Sequence, residues 1–480
     1  MMEQTYPYKP QAGAVKLTML LGGVVFLLMM VFGLALRATQ GGLFEIDPAI
    51  FYQIMTAHGA GMVGSAALTG AAIMWYFVGR YVNLNAAIYW VFLGLFLIGV
   101  ALILGSIFYG EFGGGWTFLF PLPAISGGAW DVEAAVAFCF GYLFIGVGFL
   151  LIYLDMGYRI AINYDGFLGG LGWRFAWSGN QELAPPPTII AAASVIVFNS
   201  IGIVFGAMVL VASIINLLFP SFVVDPLMAK NAIYFFGHVF INATIYMAVV
   251  AVYEIIPEYT GKPWKTTRVF ALAWVAIVIF VQAVYFHHLL QDAVMPDWAL
   301  ALGQIVSYAS GIPLMAVTTF SLCVYVKGSG LKWDLTSSLL VLGVAGWTLG
   351  SIPATIDGMV AVNRLMHNTQ WVPGHFHTYL LLGEVAMAFG FSAWLVRGKE
   401  QGIRSGLERF AFLSYALGGA GFVLVFLWSG ASSIPRRWAI HLESWQFQDR
   451  IGTFFAAVAI LGSLLIVSRY TLRLMRKGEE

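Results

Sequence analysis

Twelve apolar runs, each long enough to cross a hydrocarbon layer about 30 Å thick, constrain this chain more than any other feature. They lie at roughly 16–38, 50–79, 85–109, 131–155, 187–218, 230–257, 267–291, 297–327, 335–362, 371–397, 407–431 and 450–474. A backbone surrounded by lipid must satisfy its own hydrogen bonds, so runs of this kind fold as helices packed side by side. The chain is 60% hydrophobic and only 10% charged, which no water-soluble domain requires. The expected class is therefore all-α: one polytopic, membrane-embedded domain over 1–480, with twelve transmembrane helices in a single bundle. No internal repeat, low-complexity tract or soluble module interrupts the pattern. The stretch "GNQELAPPPT" (Gly179–Thr188) reads as a polar, proline-rich loop before the fifth span. The first run lacks a small-residue cleavage site and leads directly into the second, so it is expected to be a span and not a signal peptide.

Basic residues set the orientation. With both termini in the cytoplasm, only Arg37, Lys230, Arg364, Arg436, Arg437 and Arg450 fall outside, and the other 18 of the 24 Lys and Arg residues fall inside, Lys399, Arg404 and Lys477 among them. The expected location is the cytoplasmic (inner) membrane of a prokaryote. A net charge of +1 gives no reason to expect nucleic acid as a partner; lipid is the expected surroundings. Cys139 and Cys323 sit singly in spans four and eight, without paired thiolate spacing, and read as buried structural thiols.

Six of the eight histidines lie within spans: His58, His238, His287, His288, His375 and His377. One histidine in a membrane helix is ordinarily a polar contact between helices. Six at one depth are different. Given the alternating span directions, all six lie in the outer part of the bilayer, ~6–13 Å below the surface at 1.5 Å per residue. Imidazole suits haem iron, copper and non-haem iron. In "WVPGHFHTY" (Trp371–Tyr379), His375 and His377 are two steps apart and project about 200° from each other, one on each flank of a single helix. His58 with one of these two can hold a six-coordinate haem. The other holds a second haem from one side only. His238, His287 and His288, on neighbouring spans six and seven, remain as a three-imidazole cup for a non-haem metal.

The segments "WVPGHFH", "FHH" (Phe286–His288), "AHG" (Ala57–Gly59), "GHVFIN" (Gly237–Asn242) and "IPRRW" (Ile434–Trp438), together with twelve spans in matching order, resemble the catalytic subunit of the haem–copper oxidase superfamily. "HNTQWVPGHFH" and "PRR" are similar to its B-type branch. The resemblance implies that His58 and His377 bind a low-spin haem and His375 a high-spin haem. It also implies that His238, His287 and His288 bind the second metal, iron or copper. Arg436 and Arg437 lie just above that layer, and guanidinium forks suit the carboxylates of haem propionates. His367 and Arg364 lie at the same level and are expected to join the propionate and water network.

Oxygen-reducing members of the superfamily carry a tyrosine four residues after the span-six histidine or six before the histidine pair. Here those positions are Asn242 and Val281. The expected reaction is therefore reduction of nitric oxide, 2 NO + 2 e⁻ + 2 H⁺ → N₂O + H₂O, which needs no such phenol; the alternative is a proton-pumping oxidase that reduces O₂. Common nitric oxide reductases have glutamate at position 242, and this chain departs from that too. Asn242 is one helical turn beyond His238, so its amide is expected near the metal or its ligand. Gln282 and Tyr285 are further polar candidates. Tyr253 is retained from an inner proton channel in which Val249, Leu314 and Val317 replace hydroxyls, leaving Ser307, Ser310, Thr318 and Thr319 as polar steps. Glu384, seven residues after His377, is a candidate for proton transfer because an ionisable group at that depth is costly. Protons are otherwise expected from the outer side, where Glu45, Asp47, Glu111, Asp131 and Glu133 lie. Electrons are expected from a small partner subunit, a cytochrome c or a quinol.

Overall fold

A computed structural model describes residues 6–397 and 405–476; Lys399, Arg404 and Lys477 of the charge argument lie outside the described residues. Twelve helices long and apolar enough to cross a membrane run through it: Ala12–Gln40, Pro48–Val78, Ala86–Phe108, Val132–Asn163, Pro187–Leu218, Pro226–Thr260, Arg268–Leu289, Asp297–Val326, Leu335–Asp357, Trp371–Val396, Gly406–Ala431 and Glu443–Met475. They are spans one to twelve below. Every expected span is present. The ninth ends early, at Asp357, and a separate turn, Val360–Met366, follows it.

Local sequence sets the helix ends. Asp47 and Asp225 precede Pro48 and Pro226, and each carboxylate accepts a hydrogen bond from a first-turn N–H, at 2.8 and 2.7 Å. Proline costs nothing at that position because its missing N–H would have had no helical partner. Asp334 with Ser337 and Ser405 with Glu408 form reciprocal capping boxes.

The bundle is not uniform. Along their most apolar stretch, spans two, six and ten are 83%, 89% and 78% buried, whereas each of the others is at most 44% buried. Three histidine-bearing helices are thus the inner ones, and lipid is left to the rest. At the C-terminal end of span two, Arg80 Nη1 donates to Glu254 Oε2 at 2.9 Å and the Tyr81 hydroxyl to Glu254 Oε1 at 2.8 Å. These bonds tie the turn after span two to the end of span six.

Cys139 is buried, but Cys323 is exposed, which corrects the expectation of two buried thiols. Phe320 and Val324 beside it are exposed too, so Cys323 lies on an outward apolar face of span eight. On a membrane helix, an apolar position is as readily lipid-facing as buried.

A candidate haem and metal centre

Three departures from plain α-helix shape the centre. The end of span seven, Val284–Leu289, tightens into a 3₁₀ turn that carries His287 and His288. Span eight has a π turn at Met315–Thr319 and span ten another at Thr378–Val385, immediately after His377. The 3₁₀ turn packs closely on span eight at Gly303, where a Cβ would come within 3.1 Å of the His287 backbone N. Only glycine lets the histidine pair sit that near.

All six membrane histidines line one cavity of about 630 Å³. His58 and His377 face each other across it, ring centroids 6.2 Å apart and ring planes within 16°. Two imidazoles bonded to one metal at ~2.0 Å each would have centroids roughly 6.3 Å apart, so the spacing fits a shared iron. The His58 Nδ1 lies 2.6 Å from the Met29 carbonyl and the His377 Nδ1 2.7 Å from the Pro373 carbonyl. Each ring thereby donates its Nδ1–H and leaves Nε2 for a metal. Span one leaves space for His58 at Gly33, where a Cβ would stand 2.8 Å from the His58 Cε1. Phe426 stacks on His377 with centroids 5.3 Å apart.

His375 projects from the other flank of span ten, as the two-residue spacing requires. Across the cavity, His238, His287 and His288 bring one ligand atom each to within 4.8 Å of one another. Among the described residues this is the one such histidine cluster. Ser307 donates to the Gly303 carbonyl at 2.6 Å, so its oxygen is free to accept from His287 Nδ1–H at 2.9 Å. The His287 Nε2 then faces the cup. Tyr234 stacks on His288, centroids 5.1 Å apart and planes within 13°. The Asn242 amide lies 2.8 Å from His238 Nδ1. The contacting atom is Nδ2; turning the amide over would bring Oδ1 there to accept Nδ1–H and leave Nε2 for a metal. Asn242 therefore contacts His238 beside the three-histidine cup.

One rim of the cavity is basic. Arg436 donates to Asn368 Oδ1 through Nη2 and Nε, at 3.0 and 3.3 Å, and both Arg436 and Arg437 line the cavity. A short antiparallel link holds them there: Gln370 N–H to the Ile434 carbonyl and Arg436 N–H to the Asn368 carbonyl, both at 2.9 Å. Asn368 and Arg437 take left-handed backbone, φ 60° and 67°, a conformation that a non-glycine residue adopts at a cost. Burial pulls the Arg436 guanidinium down to about 10, and neighbouring Arg437 pushes the same way. Among the described residues neither cation has a carboxylate in salt-bridge range, although Asp357 is near enough to act on Arg436, and such a pair fits haem propionates. His367 lines the cavity as well, whereas Arg364 is exposed and does not.

Several other expected residues lie away from the cavity. Gln282 does not line it. The Tyr285 hydroxyl donates to Asn231 Oδ1 at 3.3 Å, and its ring stacks on Phe286. Glu384 is fully buried, accepts from the Thr69 hydroxyl at 3.1 Å, and is off the cavity wall. The π turn between His377 and Glu384 takes more residues per revolution than an α-helix, so a spacing of seven no longer returns to the same face. Tyr253 bonds Thr318 at 2.7 Å and does not line the cavity. Val249, Leu314 and Val317 are buried apolar positions. A second set of hydroxyls does reach the cavity floor: Thr319 bonds Thr348 at 2.6 Å, and Ser351, which lines the cavity, donates to the Thr348 carbonyl at 2.6 Å.

Three features were missed in the sequence. Tyr234, one turn before His238, carries an ordinary aromatic signature. Arg37, Asp449 and His441 form a buried chain, with Arg37 Nη1 2.7 Å from Asp449 Oδ1 and His441 Nδ1 2.7 Å from Asp449 Oδ2. Asp357 stands at the cavity end of span nine, and an acid inside an apolar run was the available signal.

The model of the family described as cytochrome c and quinol oxidase polypeptide I matches residues 13–464. Cytochrome c oxidase subunit 1 of Thermus thermophilus is 25% identical over 234 residues, 45% of this chain and 41% of that one. The corresponding Synechocystis subunit is 24% identical over 401 residues, covering 78% and 67%. Heme-copper oxidase subunit I+III of Aeropyrum pernix is 25% identical over 382 residues, covering 76% and 44%. The chain thus spans only about two-fifths of the length of the Thermus and Aeropyrum proteins. A heme-copper terminal oxidase dimer solved by cryo-EM superposes with a TM-score of 0.75 at 20% identity, over 96% of this chain and 84% of that one, and supports the fold.

Proposed function

We propose a function from the premise that this chain belongs to the cytochrome c and quinol oxidase polypeptide I family: it is a terminal reductase subunit that converts nitric oxide to nitrous oxide. As a subunit I of that family it is an integral membrane oxidoreductase, of a kind that typically holds two haems and a further metal. In our reading His58 and His377 hold the low-spin haem and His375 the high-spin haem. His238, His287 and His288 hold the non-haem iron or copper. Arg436, Arg437 and His367 receive the propionates. When bound, these groups supply the electrons and an open coordination position for the gas.

The protein's own part is placement and protons. The His375 flank of span ten and the three-histidine cup face one cavity, so two NO molecules meet between them. Apolar walls such as Val281 keep bulk water out. The Thr319, Thr348 and Ser351 hydroxyls, or water along the Arg436 rim, deliver protons. Asn242 orients His238 and offers an amide to the bound gas.

One observation carries the choice of NO: the side chain on His238 is Asn242, and the other position expected of a phenol is Val281. Two observations favour the second reading, a cytochrome c or quinol oxidase reducing O₂. The relatives bear oxidase names, and Tyr234 places a phenol ring on His288. We place the subunit in a prokaryotic cytoplasmic membrane with both termini inside. It would draw electrons from a small partner subunit, a cytochrome c or a quinol. Turnover of NO and of O₂ on the same purified preparation tests the choice. One N₂O per two NO with slow O₂ consumption supports NO reduction, whereas rapid O₂ reduction without N₂O overturns it.

A further inference from the structure

Each metal-binding histidine needs a partner for its second ring nitrogen, because that partner fixes the tautomer and sets how strongly the ring donates. For His58 and His377 the partner is a neutral backbone carbonyl, at 2.6 and 2.7 Å. His375 differs. Its Nδ1 is buried with nothing in hydrogen-bond range, and the facing group is Asp357 Oδ2 at 3.8 Å.

The carboxylate is held in that direction. Asn363 Nδ2 donates to Asp357 Oδ1 at 3.0 Å and to the Asp357 carbonyl at 2.8 Å. Gln291 Nε2 in turn donates to Asn363 Oδ1 at 3.1 Å, fixing the amide. With Oδ1 taken, Oδ2 is the free acceptor and lies toward His375. A small side-chain rotation closes 3.8 Å to the ~2.9 Å of an N–H···O bond. Asp357 is not a natural partner for a haem propionate, since two carboxylates repel.

We infer that Asp357 is the positioning residue of the high-spin site: its carboxylate accepts the Nδ1–H of His375 and makes that imidazole a stronger donor than the other two. This rests on His375 being the ligand proposed above. A charged acceptor bonds more strongly than a neutral carbonyl, so the two haems differ in the charge behind their axial rings. The richer ring favours the ferric state and stiffens the bond from nitrogen to iron.

The test is made on the purified holoprotein with Asp357→Asn and Asp357→Ala, either of which suffices if it assembles both haems. The readouts are the iron–histidine stretching band of the reduced high-spin haem and the potential of each haem. In either variant the band should fall in frequency, and the high-spin equilibrium should shift at least tenfold toward ferrous, about 59 mV for one electron. The low-spin potential should stay in place. An unchanged band and potential overturn the inference. A His375→Gly control separates the two layers: if it leaves the high-spin haem intact, the ligand assignment itself fails.

Discussion

At the scale of single residues, three positions matter most: His375 and His377 on span ten, and Asn242 on span six. His375 and His377 belong to one α-helical turn, so their opposite directions are a matter of 100° per residue. His377→Ala is expected to remove only the low-spin species from the reduced spectrum. His375→Ala should spare it and abolish ligand binding at the high-spin haem. Loss of the same species in both variants contradicts a two-sided helix. Asn242 acts through His238, and removing such a supporting partner typically costs about 10–100-fold in metal affinity or activity. Asn242→Ala should therefore retain both haems while NO turnover falls by about that factor. Full activity in that variant would leave the amide a packing role. The histidines were legible because imidazole is scarce in apolar helices and the depth argument needs only helix rise. Asp357 was legible only as an acid inside an apolar run, and Tyr234 not at all. Which neighbour a buried side chain meets depends on the packing of spans nine, six and seven, and one chain's sequence carries no signal of that.

Elements explain what the spacing could not. The twelve spans were readable from hydrophobicity alone, yet the displacement of Glu384 comes from a π turn that no pattern of apolar residues announces. Between elements the fit is tight at Gly33, where span one passes over His58. Gly33→Val is expected to cost about 1–3 kcal/mol as overpacking and to broaden or abolish the low-spin signal while the non-haem site keeps its metal. A normal low-spin spectrum would show that span one does not confine that histidine. Lys230, at the start of span six, bonds Asp292, after span seven, at 2.5 Å. The Lys230 ammonium holds the Asp292 carboxyl below the usual carboxylate range. A carboxyl depressed in the folded state stabilises it above the unfolded value, near 3.9, and loses that contribution as pH falls through the folded one. The melting temperature of Asp292→Asn should thus lie below that of the parent at pH 7, with the gap closing as the medium becomes acidic. A gap independent of pH would mean that the carboxylate's charge is not what matters.

For the whole molecule, burial and function coincide. Spans two, six and ten are the buried helices of the bundle, and they carry four of the six membrane histidines: His58, His238, His375 and His377. The peripheral span seven contributes the other two through its tightened end. Among the described residues nine other spans pack around these three and give the site an apolar wall. The central claim is that these six histidines divide among three centres within one cavity. Haem and metal stoichiometry of the purified chain tests it most directly, by pyridine haemochrome spectra, elemental analysis and the low-temperature spin states of the iron. The result expected is two haems per chain, one low-spin and one high-spin, with one further iron or copper that is lost in His287→Ala and His288→Ala. A single haem per chain, or no non-haem metal in the parent protein, would contradict it.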